Sequence, residues 1–419
     1  LPRAYEEAVA RVVATRMLIP LALALLVPAL QSSTRAAADE VSALRAEGPP
    51  ALDRLLARYD ALPTGAEKEA LEHTIDAVAK QRYATVSRLY WYTDLAAAEA
   101  AAQVSRRPIL SLRMLGRLDE ELSCANSRLF RVVLYADAEL SRFLRDSFVL
   151  HWSSERPVPR VTIDFGDGRK IETTLAGNSA HFVLDAAGRP LDVLPGLYGA
   201  RAFRRELEAV LPLAREAAEL DERELAQRLA DFHAQRLVAS RELWAASGAP
   251  THVAFKSGAS IGAAERTTVS KAAIEMPLVR AGAWRDAPLR GALAPAGELP
   301  RDLAVRRLDD ARLGASSRAL VEHLSPTDWS LDASPLHGQD FDDLVRALEV
   351  LVGADTELDE TRLHARVHAW FTARTSVPTF AVLDERVYRE LFAMSADDVW
   401  LGLSHPGIFS ALPHDGIVR

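Results

Sequence analysis

Residues 107–134 read Arg107-Pro-Ile-Leu-Ser-Leu-Arg-Met-Leu-Gly-Arg-Leu-Asp-Glu-Glu-Leu-Ser-Cys-Ala-Asn-Ser-Arg-Leu-Phe-Arg-Val-Val-Leu134. The apolar run from Ile109 to Leu115 is short and closed by Gly116, which predicts a buried strand. A loop follows that carries Cys124, the only cysteine of the chain. Past it, Phe130, Val133 and Leu134 recur at helical spacing, so the stretch predicts strand, cysteine loop and helix in that order.

Working outward, an alanine-rich helix (Asp94 to about Val104) leads into the strand from Trp91. Downstream, Glu139 to Asp146 gives a helix, Phe148-Val-Leu-His-Trp152 a second apolar strand, and Val161-Thr-Ile-Asp-Phe165 a third that turns at Gly166-Asp-Gly168. His181-Phe-Val-Leu-Asp185, a turn at Ala186-Ala-Gly-Arg189 and Leu191 to Leu194 predict a hairpin, followed by Gly196 and a closing helix from Ala200 to about Leu213. The predicted order is β-α-β, β-hairpin, helix.

Both flanks predict helix. Leu52, Leu55, Leu56 and Tyr59, then Ile75, Val78 and Ala79, recur at helical spacing, and Pro49-Pro50 and Pro63-Thr-Gly65 divide them into hairpin-like pieces. After Ala214 come an amphipathic run from Glu216 to Ala246, a less regular middle (Thr251 to Thr327), helices at Phe341 to Val352 and Glu357 to Ala373, a strand-like Thr379-Phe-Ala-Val-Leu383, and an apolar tail around Trp400-Leu-Gly-Leu403. The chain therefore divides into an N-terminal extension (1–38), a helical segment (39–90), an α/β domain (91–214) and a mainly helical C-terminal domain (215–419).

The formal charge of -8 gives no electrostatic footprint for nucleic acid or an acidic membrane surface. Lysine occurs only at Lys68, Lys80, Lys170, Lys256 and Lys271, so the positive charge is nearly all arginine, which reads as coding bias. At the N-terminus, Arg16 precedes the apolar stretch Met17 to Leu30, and the small-residue run Ala36-Ala-Ala38 follows. That is the layout of an export signal, so the expectation is a periplasmic or extracellular protein, held at a membrane only if the segment stays uncleaved. One cysteine in an exported chain excludes internal disulfides and cysteine-rich metal or iron-sulfur sites, and leaves a free thiol to be explained.

The motifs Arg107-Pro108-Ile-Leu-Ser-Leu, Cys124, Ser127-Arg-Leu-Phe130, Asp137-Ala-Glu139 and Leu144-Arg-Asp-Ser-Phe-Val149 resemble thioredoxin-like domains of the spermatogenesis-associated type. Phe182-Val-Leu-Asp-Ala-Ala-Gly-Arg-Pro with Leu194-Pro-Gly196 resembles the hairpin and terminal glycine of that fold. The likeness spans about 125 residues, and implies a central mixed sheet flanked by helices, between the helical N-terminal segment and the helical C-terminal domain. Two departures stand out: the family's Cys-x-x-Cys is here Cys124-Ala-Asn-Ser127, and the Thr-Pro before the hairpin strand is Asn178-Ser179.

Without a second cysteine the chain holds no resolving thiol, so the resemblance leaves monothiol exchange, resolved by a protein or low-molecular-weight thiol partner. Cys124 would be the nucleophile at a helix N-terminus, with Ser127 stabilising its thiolate. Asn126, Arg128, Asn178 and Ser179 would support it, and Arg131 would add positive charge that Asp119-Glu-Glu121 opposes. His151 and His181 are further polar residues near such a site. The alternative is a redox-inactive thioredoxin-like binding or scaffold protein in which Cys124 packs as a small apolar residue. No cofactor and no metal are expected. His364 and His368 have metal-ligand spacing on a helix, but ordinary core or surface histidines account for them better. Asp164 to Gly168 reads as a hairpin turn and not a calcium loop. Gly258-Ala-Ser260-Ile-Gly262 fits the hydrolase elbow pattern, but only Val253-Ala-Phe255 offers a strand before it, so it reads as a loop.

Overall fold

The computed structural model describes residues 35, 38–174, 178–246, 307–325, 341–373, 376–392, 394, 397 and 399. The proposed export signal, the Ser260 loop and the Trp400 tail lie outside these residues, as does most of the irregular middle. The chain forms two compact units, residues 1–79 and 80–419. In the first, α1 (Pro49–Ala61) packs against α2 (Ala66–Ala79), and Arg45 donates to the Val78 carbonyl at 2.6 Å. Pro49-Pro50 begin α1, where a missing N–H costs no helical bond.

The second unit is mixed α/β. A short turn of helix, α3 (Ala84–Ser87), precedes α4 (Leu95–Ser105), which Asp94 caps by accepting the Ala97 N–H at 2.8 Å. Strand β1 (Ile109–Leu115) follows, then α5 (Ala125–Leu129), α6 (Ala138–Ser147) and β2 (Val149–Arg156). After the hairpin β3 (Arg160–Asp164) and β4 (Lys170–Thr174) come β5 (Ala180–Leu184), β6 (Pro190–Pro195) and α7 (Ala200–Ala217). The four-stranded sheet runs β2-β1-β5-β6, with β1 parallel to β2 and antiparallel to β5. Ile109 to Arg113 pair Val149 to Ser153 on one side and Leu184 to Ala180 on the other, so β1 lies inside the sheet. Its continuous apolar character follows from helices against the sheet, since such a strand has no wet face.

The third predicted strand is not part of that sheet. Val161 and its neighbours pair only with β4 in a separate ribbon, where Asp164 accepts the Gly166 N–H at 2.9 Å and closes the turn read from Gly166-Asp-Gly168.

The helices past α7 share the core of the sheet. Between α7 and α8 (Glu222–Ala246), Asp221 accepts from the Glu224 N–H at 2.8 Å and Glu224 from the Asp221 N–H at 3.1 Å, a reciprocal cap that separates two helices along the predicted run from 216. Then come α9 (Leu308–Ala311), α10 (Ala315–Leu324) and α11 (Phe341–Leu358), which continues through a wider turn (Asp359–His364) into α12 (Ala365–Thr372). Thr379-Phe-Ala-Val-Leu383, expected as a strand, is instead the start of α13 (Phe380–Arg386), prolonged by a wide turn to Leu391. Thr379 caps it by accepting the Val382 N–H at 3.4 Å. A short apolar run has no period of its own, and the polar cap decides the outcome. Among the described residues no helix is long and apolar enough to cross a membrane.

Candidate functional site

Cys124 stands at the N-cap of α5, directly after the loop that leaves β1, and its backbone N–H donates to the Leu115 carbonyl at 3.2 Å. The helix widens immediately, for the Tyr135 N–H reaches the Phe130 carbonyl, five residues back, at 2.7 Å. Arg131 is buried against the preceding loop, donating to the carbonyls of Glu120 at 2.6 Å and Glu121 at 3.1 Å. It fixes the path by which the cysteine is presented.

The thiol lies 3.4 Å from Ser127 Oγ and 3.1 Å from Ser179 Oγ. Ser127 Oγ in turn donates to the Cys124 carbonyl at 2.7 Å. Asn126 Nδ2 donates to Asn178 Oδ1 at 3.1 Å, linking the helix start to the segment before β5. The structure thus brings together Cys124, Asn126, Ser127, Asn178 and Ser179, all buried. Arg128 points elsewhere, donating to Thr174 Oγ1 at 3.3 Å. The acidic run is taken up by its own cations: Asp119 by Arg117 at 2.8 Å, Glu120 by Arg160 at 3.2 Å, and Glu121 by Arg82 at 2.6 Å. His151 bonds Ser111 at 2.8 Å, and His181 bonds Tyr135 at 2.7 Å between the rings of Phe130 and Phe203. Burial lowers the His151 pKa to about 4 and that of His181 to about 3, so both are neutral in the folded chain.

Cys124 has no exposed surface. The element that covers this side of the sheet was not read from the sequence. Phe380, Asp384 and Tyr388 recur every four residues along α13 and its extension, and therefore share one face. Phe380 stacks edge-on against Phe182 of β5 at 5.1 Å, Asp384 meets Arg113 of β1 at 2.8 Å, and the buried Tyr388 hydroxyl donates to the Asn178 carbonyl at 3.3 Å. The spacing was legible once the segment is taken as helix; its partners were not.

Arg113 is a single cation facing two carboxylates, Glu155 and Asp384. Burial pushes the Asp384 carboxyl up to about 7, with Arg113 opposing and Glu155 adding like charge. A carboxyl whose folded pKa is raised contributes stability that is full below its unfolded pKa and lost as pH rises through the folded value. Between pH 6 and 8 the chain is expected to lose on the order of 1 kcal/mol through this group, and Asp384→Asn to lose that part of the slope. Urea midpoints at pH 6, 7 and 8 for both chains test this, and equal slopes would refute the assignment.

A second cluster sits on β6, α8 and the α11–α12 helix. His364 Nε2 donates to Asp192 Oδ1 at 2.9 Å, His233 Nδ1 faces His368 Nδ1 at 2.9 Å, and His233 Nε2 donates to the Leu191 carbonyl at 2.9 Å. Glu206 lies 3.8 Å from His364 Nδ1 and is paired with Arg236. All are buried except the half-buried Arg236. Burial lowers His233 to about 4 and His368 well below its ordinary value. For His364 burial works the same way, but the Asp192 carboxylate outweighs it and the pKa is raised.

The fold class is a mixed α/β protein with a four-stranded sheet flanked by helices. Comparison of the chain with models of known protein families, with curated proteins and with solved structures finds no match in any of the three.

Proposed function

We propose that this chain is a redox-inactive thioredoxin-like protein with a binding or scaffolding role, in which Cys124 packs and does not react. The order β-α-β, hairpin, helix, with β1 between a parallel and an antiparallel neighbour, supports the thioredoxin-like reading of residues 91–214. The observation that carries the proposal is the complete burial of Cys124 with its sulfur against Ser127 and Ser179. Thiol exchange needs in-line approach of a second sulfur, and a sulfur with no exposed surface offers none. The Asn178 carbonyl, an acceptor at the edge where this fold receives a peptide, is already bonded by Tyr388.

The test is the rate of alkylation by iodoacetamide at neutral pH. Cys124 in the folded chain is expected to react at least about 100-fold more slowly than in denaturant, because reaction requires local opening. Labelling at the rate of an ordinary exposed thiol would overturn the proposal and restore the monothiol reading. Tyr388→Ala adds a second arm: faster labelling in that variant alone would identify Tyr388 as part of the barrier.

A further inference from the structure

We infer that Asp192, His233 and His368 form a buried binding site for a zinc-class divalent cation that ties β6 to α8 and α12. The inference is independent of the thiol and of the reading proposed for it.

One ligand atom from each of the three residues lies within 4.8 Å of the other two. The orientation of His233 is the first argument. Its Nε2 bonds the Leu191 carbonyl, which can only accept, so Nε2 carries the proton and Nδ1 presents its lone pair to the cluster. A ring nitrogen anchored on a backbone carbonyl while the other faces inward is the arrangement that orients metal-bound histidines.

The second argument is the pair of Nδ1 atoms 2.9 Å apart. Without an ion, His368 must donate through Nδ1, which leaves its Nε2 lone pair buried with no hydrogen-bond partner among the described residues. His364 Nδ1 and Glu206 Oε1 are likewise buried without one. Such orphaned polar atoms each cost free energy, so the cluster is not satisfied by its own hydrogen bonds. Two ligands on a tetrahedral zinc ion stand about 3.3 Å apart, so the imidazoles need to separate by only about 0.4 Å to share one.

Asp192 and Glu206 are two buried carboxylates, of which Glu206 is matched by Arg236 and Asp192 by the imidazole of His364. A divalent cation on Asp192 would share that carboxylate with His364, which holds it in place from outside. Two imidazoles and one carboxylate, with no thiolate, suit zinc or cobalt(II) better than calcium or magnesium, which take oxygen ligands. The three ligands come from elements distant in sequence, with α12 packed against both α8 and β6, so the ion would act as a structural clip.

The test uses the full chain, stripped with EDTA and desalted, then titrated with zinc sulfate alone and, separately, with cobalt(II). Retention of about one zinc per chain is expected, with a rise of about 5 °C in the unfolding midpoint. Cobalt should give the visible absorption of a tetrahedral nitrogen–oxygen site. His368→Gln and Asp192→Asn should each abolish retention, whereas His323→Gln, on an exposed residue of α10, should leave it unchanged. No retained zinc and no change in midpoint for the unaltered chain would overturn the inference. So would zinc retained equally by His233→Gln/His368→Gln, which would place the ion elsewhere. Should the variants fail to fold, the cobalt spectrum of the unaltered chain decides, and its absence refutes the site.

Discussion

Replacement of Arg307 by methionine is expected to cost the folded chain about 3–5 kcal/mol, the range found when one partner of a buried ion pair is removed. The Arg307 side chain is only 7% exposed and holds three carboxylates: Asp310 at 2.8 Å, Glu357 at 3.1 Å and Glu360. Glu357 and Glu360 are themselves buried, on α11 and on the wide turn that follows it. Arg205 also reaches Asp310 at 3.0 Å and Glu360 at 3.2 Å, but it is about half exposed and cannot serve two buried anions alone. The deficit should depend on pH. Carboxylates buried without their cation have raised folded pKa values, so the stability of the variant is present at low pH and lost as pH rises. Denaturant midpoints at pH 5 and 8 are expected to show a smaller loss at pH 5. A loss below about 1 kcal/mol at pH 8 would mean that the network is spectator chemistry.

The second large effect is expected from Gly199→Ala, which should destabilise the chain by about 3 kcal/mol or more although the backbone there is ordinary, at φ -66°. A methyl group at this position would stand 2.1 Å from the Asp310 carbonyl oxygen and 2.8 Å from the Ala311 Cα. These are backbone atoms and cannot rotate away. The Gly199 N–H meanwhile donates to Thr356 Oγ1 at 2.8 Å, so the start of α7 is held between α9 and α11. Thermal unfolding of the variant measures the cost, and a midpoint within about 2 °C of the parent would show that the contact yields.

Both effects fall where the helices after residue 307 meet the sheet, and that junction is what the sequence concealed. The strands β1, β2, β5 and β6 and the helices α4 to α7 were legible because periodicity, turn residues and caps are local signals: Gly116, Asp137 and Asp185 each stand where the chain turns. The helical spacing after Cys124 put it at a helix start, and only the resemblance to thioredoxin-like domains implied that it faces Asn178-Ser179. Val161 to Phe165 was legible as a strand but its place was not, since alternation shows that a strand is half-buried but not which strand it pairs with. His364 and His368 were visible as a pair four residues apart. Their companions were not, because His233 and Asp192 carry no pattern relating them to a helix more than a hundred residues later.

The sequence by itself determined the order of elements in residues 91–214 and the absence of a second thiol. The tertiary structure alone decided whether the Cys124 thiol meets solvent. Burial is a sum over contacts from the whole chain, and the contact nearest the candidate edge, from Tyr388 to the Asn178 carbonyl, joins residues 210 positions apart. The histidine cluster has the same origin, through bonds spanning 135 and 172 positions. Separations of that size leave no trace in local spacing, because only packing brings the partners together.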